Sequence, residues 1–169
     1  MHTEYIPKMA CLSYPIFHCL DEVNHNVKLI CKFLYKKHRF IFTSHMNIVL
    51  VCCGTSGLIM AVAMRNELIR KKYASNENIR IRYCRKPIET THFHYSGGFY
   101  VGDYNIIVDD FVDSGHTIYE MLKVFDHHKV APQMIIVKTD ERKCSVIEQL
   151  LSDFNTPETI LVTNQPKDY

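Results

Sequence analysis

The sequence predicts an α/β fold: a five-stranded, mostly parallel sheet flanked by helices. Three observations predict it. Five short runs rich in β-branched residues are separated mostly by amphipathic helical patterns, and strands that alternate with helices pair in parallel through crossover connections. One run, "NIVLVCC" at residues 47 to 53, is apolar throughout, as expected of a strand covered on both faces. Glycine-bearing turns, "GTSG" and "DSGHT", follow two of the strands, where such sheets bind ligands. A chain of 169 residues, 47% hydrophobic and 22% charged, is long enough to bury one substantial core and too apolar for disorder.

Each element has its own signal. From Leu20 the apolar positions Val23, Val27, Ile30 and Leu34 recur at spacings of three and four, which lays one buried stripe along a helix. Lys36, Lys37, His38 and Arg39 suit the negative end of its dipole. After strand 47 to 53 and its glycine loop, "LIMAVAMRNELIRKK" reads as a helix that starts apolar and ends basic. "IRIRYC", residues 79 to 84, alternates as a strand.

Residues 85 to 104 show neither period and predict a long connection, a kind of loop that tends to be functional. Regular patterns then resume with a strand at 105 to 109. A helix follows over 117 to 128, burying Ile118, Met121, Leu122 and Phe125, and then a strand, "MIIVK", at 134 to 138. Ile147, Leu150, Leu151 and Phe154 mark one more helix, and "TILVT" a last strand. Nothing repeats and nothing reads as a linker. The expectation is a single domain, 1–169, with its core at about 47–163 and a small hood built from the N-terminal segment, the C-terminal segment or both.

Bulk properties narrow the partners. A net charge of +2 is too near neutral to drive binding to nucleic acid or an anionic membrane, so any anion site must be local. No apolar run reaches the roughly 18 residues of a membrane span, and "MHTEYIPKMA" lacks the basic-then-apolar order of a secretory signal. A cytoplasmic location is expected. The seven cysteines, Cys11, Cys19, Cys31, Cys52, Cys53, Cys84 and Cys144, are odd in number and lack paired metal-ligand spacing, which predicts reduced and mostly buried thiols. His127 and His128, at a helix end, read as solvated residues compatible with the dipole.

Chemistry concentrates in "IIVDDFVDSGHT". Residues 113 to 117 lie between a strand end and a helix start, where backbone N–H groups and the helix dipole converge on an anion such as phosphate, and Ser114 and Thr117 add hydroxyl donors. Asp109 and Asp110 cannot serve as phosphate ligands, because like charges repel. Vicinal hydroxyls of a ribose, met directly or through hydrated Mg²⁺, suit them. A ribose 5-phosphate fits the whole segment. The plainer alternative is a solvent-exposed turn in which Asp113 caps the helix.

The segment resembles the signature of type I phosphoribosyltransferases, in which apolar residues precede two acids, two further apolar residues and a small glycine-containing loop closed by threonine. The resemblance runs in order from about residue 47 to 138. It implies binding of 5-phosphoribosyl 1-diphosphate (PRPP) with Mg²⁺ as cofactor and transfer of the phosphoribosyl group to a nitrogenous base. By that resemblance Asp109 and Asp110 hold the ribose and, partly through water, the metal. Asp113, Ser114, Gly115, His116 and Thr117 cradle the 5-phosphate, and Cys53, Gly54, Thr55 and Ser56 in "VCCGTSG" contact pyrophosphate, often through a cis peptide in the family. Taken alone, "GTSG" is equally a plain glycine turn.

"RKPIETTHFHYSGG" resembles the family's mobile loop, especially that of orotate phosphoribosyltransferases, and implies that Arg85 and Lys86 grip pyrophosphate. His92 and His94 are candidate donors to the same oxygens, or incidental; as a zinc pair they lack a third ligand. Two features depart from the family pattern. His116 stands where glycine or a small or basic residue is common, and no arginine follows Cys53 as in some purine enzymes.

Asp113 matches an acid that in enzymes acting on 6-oxopurines lies near the base, so Asp113 and Lys86 are the candidate catalytic residues. That favours hypoxanthine, guanine or xanthine over orotate. A homodimer is the expected assembly. Two other classes compete, a non-catalytic PRPP sensor and a nucleotide-binding domain that shares only the architecture. Arg85 and Lys86 favour the enzyme, since a sensor has no need of a closing loop.

Overall fold

The computed structural model describes residues 2–5, 20–44, 46–84, 100–112, 115–139, 149, 152 and 158–163. In chain order these form β1 (His2–Tyr5), α1 (Leu20–Lys37), α2 (Arg39–Thr43), β2 (Ile48–Cys53), α3 (Gly54–Arg70), β3 (Ile79–Cys84), β4 (Tyr104–Val112), α4 (His116–His127), β5 (Met134–Thr139) and β6 (Glu158–Thr163). The strands make one sheet in the order β1-β6-β5-β4-β2-β3, and every neighbouring pair is parallel. The α/β class and the parallel sheet agree with the sequence, but among the described residues the sheet has six strands, not five. β1 escapes sequence reading because "HTEY" has no apolar run; its backbone pairs with β6, His2 opposite Glu158 through Tyr5 opposite Leu161.

β2 is buried at all six positions because the two faces of the sheet meet different helices. Ile48, Leu50 and Cys52 join α1, α2 and α3 in one core with Ile106, Val108, Met134 and Ile136. Val49, Val51 and Cys53 turn to the opposite face, with Ile107, Ile135 and Val137, where α4 contributes Ile118, Met121, Leu122 and Phe125. The predicted stripe of α1 holds: Val23, Val27, Ile30 and Leu34 are buried. The continuous apolar run of β2 is thus the sequence record of a strand enclosed by two hydrophobic layers.

Two boundaries differ from the sequence reading. "GTSG" is not a loop but the first turn of α3, which starts immediately after Cys53. β4 runs beyond Asp109 to Val112, with a register irregularity between Asp109 and Val112, so both paired acids belong to the strand. The connection of residues 85 to 104 lies largely outside the described residues, and its last turn leads through Asp103 into β4. Of the helix expected around 147 to 154, Gln149 and Ser152 are helical, and its apolar residues lie outside the described residues.

The strand order places the crevice. The chain passes from β2 to β3 on one side, then returns across β2 to build β4 on the other, and continues outward through β5. The direction of winding therefore reverses between β2 and β4. At such a point the helices that follow the two strands diverge to opposite faces and leave a gap beyond the strand ends.

Candidate functional site

Three strands line that gap. Cys52 is the register partner of Val108, and Cys53 is the partner of Cys84, so the ends of β2 and β3 stand beside the Val108–Asp109 step of β4 at roughly 4.8 Å intervals. Asp109 follows Val108, and the α3 turn follows Cys53. Arg85, the next residue after Cys84 in the chain, lies outside the described residues.

Two helices begin beside this row of strand ends, α3 at Gly54 and α4 at His116. Neither has a side-chain hydrogen bond at its N-cap, and neither has an acid in its first turn. The first N–H groups of a helix have no partner within it, and the dipole leaves them electropositive. Glycines in the left-handed region stand at both starts, Gly54 at φ 70° and Gly115 at φ 76°. An L side chain strains there, so each glycine lets a strand turn sharply into its helix.

The N-cap of α4 is Gly115, so the expectation of Asp113 as the ordinary cap is displaced by two residues. Thr55 and His116 are exposed, whereas Ser56 and Thr117 are partly exposed, which leaves polar groups of both helix starts open to solvent. All described peptide bonds, including those around Cys53 and Gly54, are trans.

Asp109 is 5% exposed and lies against the start of α3. A Cβ built on Gly57 would stand 3.3 Å from Asp109 Oδ1, 3.4 Å from the Val108 carbonyl oxygen and 3.6 Å from Cys52 Cβ. The missing side chain at residue 57 is what lets the acid of β4 and the turn of α3 come together. Gly57 was visible in "GTSG" as a loop glycine, but only the fold reveals the acid beside it.

Burial disfavours the thiolate form of two thiols at the strand ends, Cys52 and Cys84. Burial, together with the Cys84 and Cys53 sulfurs and the Asp109 carboxylate, pushes the Cys52 thiol up to about 12. Burial and Cys53 push Cys84 to about 12 as well, against the opposing charge of Arg82. Such thiols stay protonated near neutral pH, when the thiolate is the reactive form. Cys31, Cys52, Cys53 and Cys84 are buried and form no disulfide, in line with the expected reduced, buried thiols; Cys11, Cys19 and Cys144 lie outside the described residues. The groups suited to chemistry here are amides, hydroxyls and carboxylates.

The fold thus brings Cys53, Gly54, Thr55 and Ser56 to one side of the crevice, and Asp109, Gly115, His116 and Thr117 to the other. Asp110 belongs to β4. Asp113, Ser114, Arg85, Lys86, His92 and His94 lie outside the described residues. Among the described residues no group of three or more His, Cys, Asp or Glu would hold a metal ion, and no helix is long and apolar enough to cross a membrane. A groove between α1 and α3, lined in part by Lys28, Leu58, Val62 and Glu67, offers little chemistry, because Glu67 is committed to Arg70 at 2.8 Å.

No family model matches the chain, and no curated protein matches it by sequence. Solved structures do match. An orotate phosphoribosyltransferase of Francisella tularensis superposes with a TM-score of 0.62 at 13% identity, over 88% of this chain and 69% of its own. An adenine phosphoribosyltransferase from Thermoanaerobacter pseudethanolicus gives 0.58 at 14% identity over 89% and 85%. A purine phosphoribosyltransferase from Pyrococcus horikoshii gives 0.54 at 12% identity over 98% and 90%. The chain has the type I phosphoribosyltransferase fold. The described part of "IIVDDFVDSGHT", residues 106–112 and 115–117, spans the end of β4 and the start of α4, beside the crevice between β2 and β4.

Proposed function

We propose that this protein is a Mg²⁺-dependent phosphoribosyltransferase that moves the phosphoribosyl group of PRPP to a nucleobase, a 6-oxopurine in nucleotide salvage, with release of pyrophosphate. One observation carries the reading: two helix starts with no side-chain hydrogen bond from the N-cap residue, each with a left-handed glycine, flank a buried aspartate at the switch point of the sheet. A substrate with an anion at each end and a hydroxylated ring between them matches that pattern. The names of the structural neighbours, orotate, adenine and purine phosphoribosyltransferases, agree with it.

In this reading the α4 start, with Ser114, Gly115, His116 and Thr117, receives the 5-phosphate. The amides of residues 53 to 56 receive pyrophosphate. Asp109 and Asp110 accept the ribose hydroxyl protons. They also fit a Mg²⁺ that keeps several waters and takes its other ligands from substrate oxygens, as this ion prefers, so a cluster of three protein ligands is not required. When bound, the ion would offset charge on the departing pyrophosphate. Arg85 and Lys86, which follow the β3 end, would add cations to the same leaving group.

Asp113, two residues ahead of the Gly115 cap, would accept the proton of the attacking base. The decisive measurement is pyrophosphate release from PRPP and Mg²⁺ with hypoxanthine, guanine, xanthine, adenine, orotate, uracil and nicotinate as acceptors. Purine-dependent release is expected. The Asp113→Asn variant should then lose on the order of 10²-fold in turnover, because asparagine matches the shape of the acid but cannot take a proton. Turnover of orotate alone would reassign the acceptor, and tight PRPP binding with no release for any base would make the protein a sensor.

A further inference from the structure

Residue 57 occupies the first turn of α3, within helical rather than left-handed backbone. Glycine there costs helix stability, since alanine is favoured at an ordinary helical position by roughly 1 kcal/mol. A helix that tolerates this cost needs a reason at that position. The reason is spatial: Gly57 is buried, and a Cβ on it would come within 3.3 Å of Asp109 Oδ1 and 3.4 Å of the Val108 carbonyl oxygen. The first distance is tighter than ordinary van der Waals contact, and the second is at its limit.

Asp109 has little freedom to retreat. It is 5% exposed, it follows the fully buried Val108, and the register of β4 against β5 becomes irregular immediately after it. A side chain at residue 57 would therefore displace the carboxylate rather than settle beside it. We infer that Gly57 is a positioning residue: its bare Cα seats the Asp109 carboxylate against the α3 turn, so that the ribose side and the pyrophosphate side of the crevice are locked in one geometry. This inference rests on the PRPP reading for its effect on ligand, but the packing it describes holds whatever the ligand is.

The coupling has an order of events. The α3 turn would meet pyrophosphate and Asp109 the ribose, so a shift of either moves the other through Gly57. A residue with a merely structural role would alter stability without altering affinity. A positioning residue acting through Asp109 loses its influence on affinity once the Asp109 carboxylate is removed.

The test is a double-mutant cycle of Gly57→Ala and Asp109→Ala, read in two ways. Thermal unfolding comes first. In the parent background Gly57→Ala should lower Tm, while in the Asp109→Ala background it should raise it by about 2–4 °C, because helix propensity is then unopposed. Equilibrium binding of PRPP with Mg²⁺ comes second. Gly57→Ala alone should weaken binding by at least about tenfold, or 1.4 kcal/mol, and should weaken it no further once Asp109 is alanine. Additive effects in the thermal cycle, or a Gly57→Ala protein that binds PRPP as the parent does, overturn the inference.

If the parent protein binds no PRPP, the functional reading fails, and the thermal cycle still decides whether Gly57 seats Asp109. If Asp109→Ala does not fold, a crystal structure of Gly57→Ala decides instead. An Asp109 carboxylate shifted from its place against α3 supports the inference, and one that has not moved refutes it.

Discussion

At the scale of single residues, the site depends on groups whose identity is dictated by space. Gly115 holds φ 76° at the head of α4, where any L side chain costs roughly 1–2 kcal/mol and a β-branched one more. Gly115→Val should therefore lower the unfolding free energy by at least about 1 kcal/mol in urea titrations and abolish PRPP binding, since the branched side chain would project into the cradle. A variant with parental affinity would place the phosphate elsewhere. Asp109→Asn keeps the shape of the side chain and removes its charge. It should leave the fold intact and weaken PRPP by on the order of tenfold to a hundredfold, the range lost with a charged hydrogen bond. Circular dichroism and calorimetric titration of the same sample check both halves of that expectation.

Among the elements, the helices carry stability that the site does not use. A lysine with positive φ stands just beyond the C-cap of both α3 and α4, Lys72 at 57° and Lys129 at 54°. Lys129 lies just beyond the α4 C-cap His128, and Val130 N–H donates to the Phe125 carbonyl at 3.1 Å, closing the last turn. Helices commonly end on glycine there because the left-handed region penalises a Cβ. Lys129 forms a 3.6 Å ion pair with Asp126, but both side chains are largely exposed, and such pairs contribute little. Lys129→Gly should therefore stabilise the protein by up to about 1 kcal/mol. A fall in the chemical-denaturation midpoint would mean that the Asp126 pair outweighs the backbone strain. Activity should not change, because α4 presents its other end to the crevice.

For the molecule as a whole, the buried thiols link stability to alkaline pH. An unperturbed thiol ionises near pH 8.5, whereas burial holds Cys31 above its ordinary value and Cys52 and Cys84 at about 12. Above pH 8.5 the unfolded chain therefore sheds protons that the folded chain keeps, so it is the unfolded state that gains. Stability from these groups is complete below that pH and is lost as pH rises towards 12, by up to about 1.4 kcal/mol per pH unit for each thiol. Unfolding measured from pH 8 to 11 should show this decline, and Cys31→Ala, whose parent thiol donates to the Met64 carbonyl at 3.7 Å, should flatten it. An unchanged slope would show that other groups cause the decline.

What the sequence determined by itself is the set of periods. The stripe Val23, Val27, Ile30 and Leu34, the face Ile118, Met121, Leu122 and Phe125, and the unbroken run of β2 each needed only local spacing, because burial against a sheet imposes 3.6-residue and two-residue repeats on the chain. The order of residues in "IIVDDFVDSGHT" likewise pointed to the carboxyl end of β4 before any coordinates. Tertiary structure alone decided that β1 pairs with β6, since a four-residue strand without an apolar run is held by backbone hydrogen bonds to a partner more than 150 positions away. It also decided where the helices start. "GTSG" has the composition of a loop, yet the apolar residues after it, packed against the sheet, draw it into the first turn of α3. The contact of Gly57 with Asp109 joins residues far apart in sequence, and no local pattern encodes it. Periodicity records which face of an element is buried; which two elements meet, and with how much room between them, is set by the packing of the whole chain.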